Sequence, residues 1–153
     1  MANTYSQIHI QCVIAVQCRA SQIQPDWKEQ LHKFITGIIQ NYGHKMLAIN
    51  AMPDHLHLFF GFRPNQSLAD LMRIVKSEST KWINDKQFTK AVFNWQEGYG
   101  AFSYSRSHVE KVIEYVLNQE EHHRNKTFLE EYEQFLKQFN IEYDQRYIFK
   151  LPE

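Results

Sequence analysis

The order in which strand and helix patterns alternate along the chain restricts its fold more than any other feature. Apolar residues occupy every even position from 8 to 18, as expected of a strand with one buried face. A helical pattern follows from Pro25 to Tyr42, and a short strand pattern covers Lys45 to Asn50. The sequence Met52-Pro53-Asp54 favours a tight turn, so this strand and the next are predicted to form a hairpin.

The second half of the chain continues the alternation and then adds two helices. Helix starts are predicted where Ser or Thr precedes an acidic residue by three positions, at Ser67, Ser107 and Thr127. The helix that begins near Ser107 is expected to run to about Arg124. The aromatic stretch 88–104 is interpreted as a fourth strand that contains a glycine loop. The tail 141–151 is interpreted as an edge strand or a docking segment.

The resulting order, β-α-β-β-α-β followed by two additional C-terminal helices, is that of the split βαβ or ferredoxin-like fold. In this α+β architecture the first and third strands of an antiparallel sheet are central neighbours, and the first two helices cover one face. The other face is expected to be uncovered and solvated. A length of 153 residues suits a single domain that covers the whole chain, 1–153.

The composition excludes a disordered chain, and the net charge of the whole chain gives no indication of nucleic-acid binding. Apolar residues make up 43% of the chain, and 17 basic residues balance 17 acidic ones. Contact with nucleic acid would therefore require a local basic patch. No run approaches the roughly 18 apolar residues of a membrane span, and the first residues lack a signal-peptide pattern. We expect a cytoplasmic protein with no membrane partner.

A pair of histidines marks the third strand. His55 and His57 alternate with Leu56, so both side chains are predicted to lie on the face opposite the first two helices. His9 and Gln11 of the first strand are expected to share that face. Two neighbouring imidazoles supply half of a metal site, although two histidines on a half-exposed strand are equally typical of ordinary surface residues.

Tyr115 is the second unusual residue, because it does not follow the apolar pattern of its helix. The apolar arc of that helix consists of Val109, Val112, Ile113, Val116 and Leu117. At about 100° per residue, Tyr115 lies roughly 120° from the centre of this arc, and Gln119 follows one turn later on the same flank. Tyr115 is either a half-buried residue at the margin of the core or a phenolic nucleophile.

A nucleophilic phenol would need help from a metal ion. The phenol pKa is near 10, so deprotonation at neutral pH costs on the order of 4 kcal/mol. A divalent ion held by His55 and His57 would offset this cost by polarising the electrophile. With Gln119 as an oxygen-donating third ligand, the donor set suits Mg²⁺ or Mn²⁺ at a phosphate better than structural Zn²⁺.

Together these residues resemble the single-tyrosine HUH transposases of the insertion sequence 200/605 family and their REP-associated tyrosine transposase relatives. The resemblance covers nearly the whole chain. It is carried by His55-Leu56-His57 with the preceding Met52-Pro53-Asp54, by the block 95–103, and by Tyr115-Val-Leu-Asn-Gln119 with the residues up to His123.

The resemblance implies a metal-dependent transposase that acts on single-stranded DNA with hairpin-marked ends. Tyr115 would attack a scissile phosphate to give a 5′-phosphotyrosine link and a free 3′-hydroxyl, and strand transfer would reverse that step. His55, His57 and Gln119 would hold the divalent ion. A homodimer would be able to place the Tyr115 helix of one subunit against the histidines of the other.

Candidate DNA contacts come from local charge and aromatic residues. Segment 63–90 contains six basic residues against three acidic ones, whereas 127–153 contains three against six. The candidates are Arg73, Lys76, Lys81, Tyr99, Arg106 and Lys111. Each basic residue is equally well explained as part of a solvated helix face. His122 and His123 are alternative metal ligands or a solvated helix end.

Three alternatives remain open at this point. The first is a ferredoxin-like nucleic-acid-binding module without catalysis, which would use an open sheet face. The second is a metal-dependent hydrolase of small phosphoesters, which gives Tyr115 no role. The third is a domesticated relative that processes REP elements. Were Tyr115 not the nucleophile, Tyr99 or Tyr104 would be the next candidate.

Overall fold

A computed structural model of the chain describes residues 4–124 and 126–152. Its centre is an antiparallel four-stranded sheet in the order β2-β3-β1-β4. The strands are β1 (His9–Ala15), β2 (Lys45–Met52), β3 (His55–Gly61) and β4 (Gly100–Tyr104). The predicted hairpin of β2 and β3 is confirmed, and β1 and β3 are central neighbours as expected.

Five α-helices occur in the described part of the chain. They are α1 (Pro25–Asn41), α2 (Leu68–Lys86), α3 (Val109–Leu117), α4 (Gln119–His122) and α5 (Phe128–Gln138). The α+β, ferredoxin-like order with further C-terminal helices is therefore confirmed. The helix predicted from Ser107 to Arg124 differs, because it begins as a 3₁₀ turn and breaks at Asn118 into α3 and α4.

One face of the sheet packs against α1 and α2, as the alternation predicts. The even residues of β1 and those of β3 contribute Cys12, Ile14, Leu56, Leu58 and Phe60 to a single apolar core. The two helices add Leu31, Ile35, Leu71 and Val75 among others, and all of these side chains are fully buried.

The expectation that the other face is open and solvated is wrong. The apolar side of α3 packs on Phe59 of β3, and α5 packs on Val13 of β1 through an aromatic cluster. Gln11 and His57 are 0% exposed and His55 is 1% exposed. Three of the four polar residues that the strand period assigns to this face therefore lie inside the protein, whereas His9 is half-buried.

The segment before and within β4 is less regular than predicted. The strand covers only 100–104, and Trp95 forms an isolated bridge with Val16. Gly100 allows close packing on α5, because a Cβ there would lie 2.7 Å from a ring carbon of Tyr132. The tail 141–151 forms no strand, but its residue Phe149 is buried against Phe128 and Tyr132.

No helix in the described ranges is both long and apolar enough to cross a membrane.

Candidate active site

The two histidines of β3 point into the interior between the sheet and helices α3 to α5. Their ring centroids are 5.1 Å apart. The Nε2 atoms of both rings approach the same carboxylate oxygen, Oε1 of Glu131, at 3.7 Å from His55 and 3.2 Å from His57. The prediction that His55 and His57 share one face is therefore confirmed, although that face is buried.

The Nδ1 atom of each imidazole lies within hydrogen-bond distance of a side-chain oxygen. His55 Nδ1 lies 2.7 Å from Oδ1 of Asp54, and His57 Nδ1 lies 2.7 Å from Oε1 of Gln11. When Nδ1 donates to these oxygens, the lone pair of each ring is on Nε2. Both histidines are thus oriented as metal ligands commonly are.

Gln119 is brought to the histidines by the break at Asn118. Asn50 of β2 donates from Nδ2 to the carbonyl groups of Val116, at 3.0 Å, and Leu117, at 3.3 Å. These bonds satisfy the end of α3, so the chain can turn there. Gln119 begins the next helix fully buried, with Oε1 3.3 Å from His55 Nε2.

Glu131 belongs to the site although the sequence analysis did not select it. His55, His57 and Glu131 form a group whose potential metal-binding atoms all lie within 4.8 Å of one another. Glu131 is only 4% exposed on α5. The signal in the sequence was an acidic residue inside the apolar stripe of a helix, between Phe128 and Phe135.

Of the two alternative ligands, His123 reaches the site and His122 does not. His123 Nε2 lies 3.0 Å from Oε1 of Gln119 and 3.2 Å from Oε1 of Glu131. His122 is exposed and stacks on the Tyr115 ring with 4.6 Å between centroids. His123 therefore joins the group of side chains that converge on Glu131.

Burial governs the protonation of this cluster. It lowers the pKa of His57 well below its usual value and lowers that of His123 to about 4, with the nearby His55 adding to both effects. Burial also raises the pKa of Glu131 to about 7. Burial opposes ionisation of Asp54 as well, but its hydrogen bond with His55 keeps the pKa of this carboxyl below the usual value. The imidazoles of His57 and His123 are consequently neutral at pH 7, the form that binds metals.

Tyr115 lies beside the histidines of its own chain. Its ring is half-buried and meets the His57 ring edge-on, at 5.9 Å between centroids. Its hydroxyl donates a hydrogen bond to Oε2 of Glu131, the carboxylate oxygen that does not face the histidines. A cavity of about 330 Å³ is lined by Tyr115, Glu131 and Lys111 among others, which gives the hydroxyl a route to the outside.

The structure separates the six candidate DNA contacts into three places. Lys111 lines the cavity at Tyr115, and Arg106 lines a different depression beside β2. A groove along α2, on the opposite side of the sheet, contains the remaining four: Arg73, Lys76, Lys81 and Tyr99.

The basic residues of α2 already have partners within the chain. Arg73 pairs with Asp70 and Lys81 pairs with Asp85, each on the same helix. Lys76 donates to the carbonyl groups of Gln96 and Gly98, both at 2.8 Å. These contacts reduce the positive charge that the groove offers to a phosphate.

Comparison with known proteins adds a family and a fold. The family described as "Transposase IS200 like" matches residues 4–119. A comparison with curated proteins finds no match. The family match ends at Gln119, so α5 and Glu131 lie beyond it.

The solved structures that are similar to this chain include two transposases. One is of a candidate transposase from Deinococcus radiodurans R1, with a TM-score of 0.62 and 18% identity over 78% of this chain and 95% of that one. The other is of a REP-associated tyrosine transposase bound to a REP hairpin, with a TM-score of 0.60 and 13% identity over 80% of this chain and 73% of that one. At such identities the likeness concerns the fold.

Proposed function

This chain belongs to the IS200-like transposase family, and from that premise we propose that it cleaves and rejoins single-stranded DNA at hairpin-marked ends through Tyr115. One observation carries the proposal. The Tyr115 hydroxyl and the Nε2 atoms of both histidines meet at opposite oxygens of one buried carboxylate, Glu131. A nucleophile and a metal-binding group are therefore adjacent.

The donor set fits a divalent cation. His55 and His57 offer nitrogen, while Gln119 and Glu131 offer oxygen from buried side chains. Two imidazoles with oxygen donors suit Mg²⁺ or Mn²⁺ better than the closed nitrogen and sulfur shell of structural Zn²⁺. The ion, when bound, would polarise the scissile phosphate and stabilise the departing oxygen.

The residues of this chain account for the bond changes. The Tyr115 oxygen attacks phosphorus, its proton passes to Glu131 along their hydrogen bond, and the bond from phosphorus to the 3′ oxygen breaks. The departing 3′ oxygen takes a proton from solvent water, and the products are a 5′-phosphotyrosine and a 3′-hydroxyl. Strand transfer is the reverse reaction with another 3′-hydroxyl, so no external energy source is needed.

Lys111 is the first of the DNA-contact candidates to consider, because it lines the cavity into which Tyr115 opens. The hairpin specificity is proposed by analogy with the neighbour that is bound to a REP hairpin.

We also propose a cytoplasmic single-domain protein, 1–153, that forms a homodimer. Exchange of α3 between subunits would be compatible with this arrangement, although Tyr115 already meets Glu131 within one chain. A domesticated REP-processing relative would use the same chemistry.

The test is a covalent adduct assay. A labelled single-stranded oligonucleotide that carries a hairpin is incubated with the protein and Mg²⁺ or Mn²⁺, and the adduct is separated on a denaturing gel. We expect an adduct that EDTA abolishes and that Tyr115→Phe eliminates. Tyr99→Phe, on the other side of the sheet, is the matched control and should retain it. An adduct formed by Tyr115→Phe would exclude this nucleophile.

The binding-module alternative is less well supported, because its mode of binding requires an open sheet face. Helices cover both faces of the sheet in the ranges 4–124 and 126–152. The hydrolase alternative leaves the contact between Tyr115 and Glu131 without a purpose.

A further inference from the structure

Gln11 is a buried amide in the middle of the central strand, where an apolar residue would ordinarily be expected. It is 0% exposed and its strand partners in the sheet are Phe59 and Phe102. An amide buried without partners costs roughly 1–3 kcal/mol. Both ends of Gln11 are used: Oε1 lies 2.7 Å from His57 Nδ1, and Nε2 donates to the Tyr104 hydroxyl at 2.9 Å.

The two histidines differ in how their protons are fixed. Asp54 behind His55 is a carboxylate, which only accepts hydrogen bonds, so it requires the proton on Nδ1 of that ring. The amide of Gln11 has one accepting end and one donating end. If the Gln11 amide were reversed, its nitrogen would donate to His57 Nδ1. The proton of the His57 ring would then be on Nε2, where it blocks metal binding.

The hydroxyl of Tyr104 is the hydrogen-bond partner of the Gln11 amide nitrogen. This hydroxyl accepts from the amide nitrogen, while the amide oxygen faces His57. Burial raises the pKa of Tyr104 to about 12, so it stays a neutral hydroxyl. The ring is held edge-on against Phe59 and Phe139, which fixes the position of the oxygen.

We propose that Gln11 and Tyr104 are positioning residues for the metal site, which together hold His57 with its proton on Nδ1 and its Nε2 lone pair toward the ion. This inference rests on the proposed function. It also gives Tyr104 a role other than that of a second nucleophile, although Tyr104 lines the same cavity as Tyr115.

The first measurement is the affinity for Mn²⁺ alone, followed by electron paramagnetic resonance on the full chain. Gln11→Met keeps the size of the side chain but removes the acceptor, and we expect it to weaken binding 10- to 100-fold. Gln11→Glu keeps an acceptor and should stay within a few-fold of the unmodified protein. Tyr104→Phe should weaken binding several-fold, whereas the control Tyr99→Phe should not change it.

The second measurement is the nitrogen NMR spectrum of the His57 ring in the metal-free protein, recorded in EDTA. We expect a single form with the proton on Nδ1, and a mixture of both forms in Tyr104→Phe. This signature would not change if Tyr104 only filled space. A folded Tyr104→Phe protein that keeps the single form and a folded Gln11→Met protein with unchanged Mn²⁺ affinity would overturn the proposal.

His57→Ala separates this inference from the proposed function. If His57→Ala loses Mn²⁺ binding while Gln11→Met and Tyr104→Phe retain it, the metal site stands and the positioning role is wrong. If His57→Ala binds Mn²⁺ as tightly as the unmodified protein, the metal site itself is wrong and this inference is overturned with it.

Discussion

The residues of β1 and β3 that face α1 and α2 are apolar or thiol side chains, whereas their neighbours on the opposite face include Gln11, His55 and His57. Both faces are covered by helices, and these strand residues are buried on each face. On the first face the helices bury carbon and so stabilise the fold. On the second face they bury a polar cluster whose partners come from β1, β3, α4 and α5.

The difference shows what burial does on each face. Burial lowers the pKa of His57 and His123 and raises that of Glu131, so the charged forms of these three groups are disfavoured in the folded protein. A buried polar cluster without its counter-charge costs stability. Apolar contacts on both faces offset this cost, including those of Phe59 and Phe102 beside the polar cluster.

The largest expected effect is on the apolar face. Leu58→Ala removes a fully buried side chain from the core between the sheet and α1 and α2. We expect the free energy of unfolding to fall by about 2–5 kcal/mol in urea denaturation. The Mn²⁺ affinity of the folded protein should be unchanged, because Leu58 points away from the histidines. A loss of affinity in a folded Leu58→Ala protein would mean that the two faces are not independent.

The next effect concerns Glu131 on the polar face and is tested by Glu131→Gln without metal. The pKa of Glu131 is raised from 4.5 to about 7, so the folded protein binds this proton more tightly than the unfolded chain does. Its stabilising contribution is therefore complete below pH 4.5 and is lost as the pH rises through about 7. The loss amounts to roughly 3 kcal/mol.

The measurement compares the unfolding free energies of the unmodified protein and Glu131→Gln, in EDTA, from pH 4 to 8. We expect the variant to become relatively more stable as the pH rises. His57 and His123 have lowered pKa values and act in the opposite direction, but they are present in both proteins. A difference that does not depend on pH would show that the pKa of Glu131 is the same in the folded and unfolded chains.

The sequence predicts the apolar face better than the polar one. The alternation in β1 and β3 and the stripes of α1 and α2 are local patterns, and they were sufficient to predict strand order and core. Proximity of Tyr115 and Gln119 to the histidines followed from a family resemblance and from the off-stripe position of Tyr115. The structure brings these four side chains together.

Two features that local patterns did not predict, the break at Asn118 and the position of Glu131, depend on contacts between distant segments. The break at Asn118 is stabilised by Asn50 of β2, 66 residues from Val116 in sequence. Glu131 lies in the apolar stripe of α5, but only the return of α5 across the sheet brings it to the histidines. Periodicity contains no information about contacts between distant segments, so it does not predict that α3 and α5 cover the second face of the sheet.

The smallest expected effect is on the salt dependence of DNA binding, and its measurement identifies the face of the protein that contacts DNA. Lys111 lines the cavity at Tyr115, whereas Lys81 lies on α2 and pairs with Asp85 at 2.8 Å. Each phosphate contact in single-stranded DNA contributes about 0.7 to the slope of log affinity against log salt concentration. We expect Lys111→Gln to reduce that slope by about this amount and Lys81→Gln to leave it unchanged, measured by fluorescence anisotropy with a hairpin oligonucleotide. The reverse result would assign the DNA path to the groove along α2, and the polar face would then receive only the scissile phosphate.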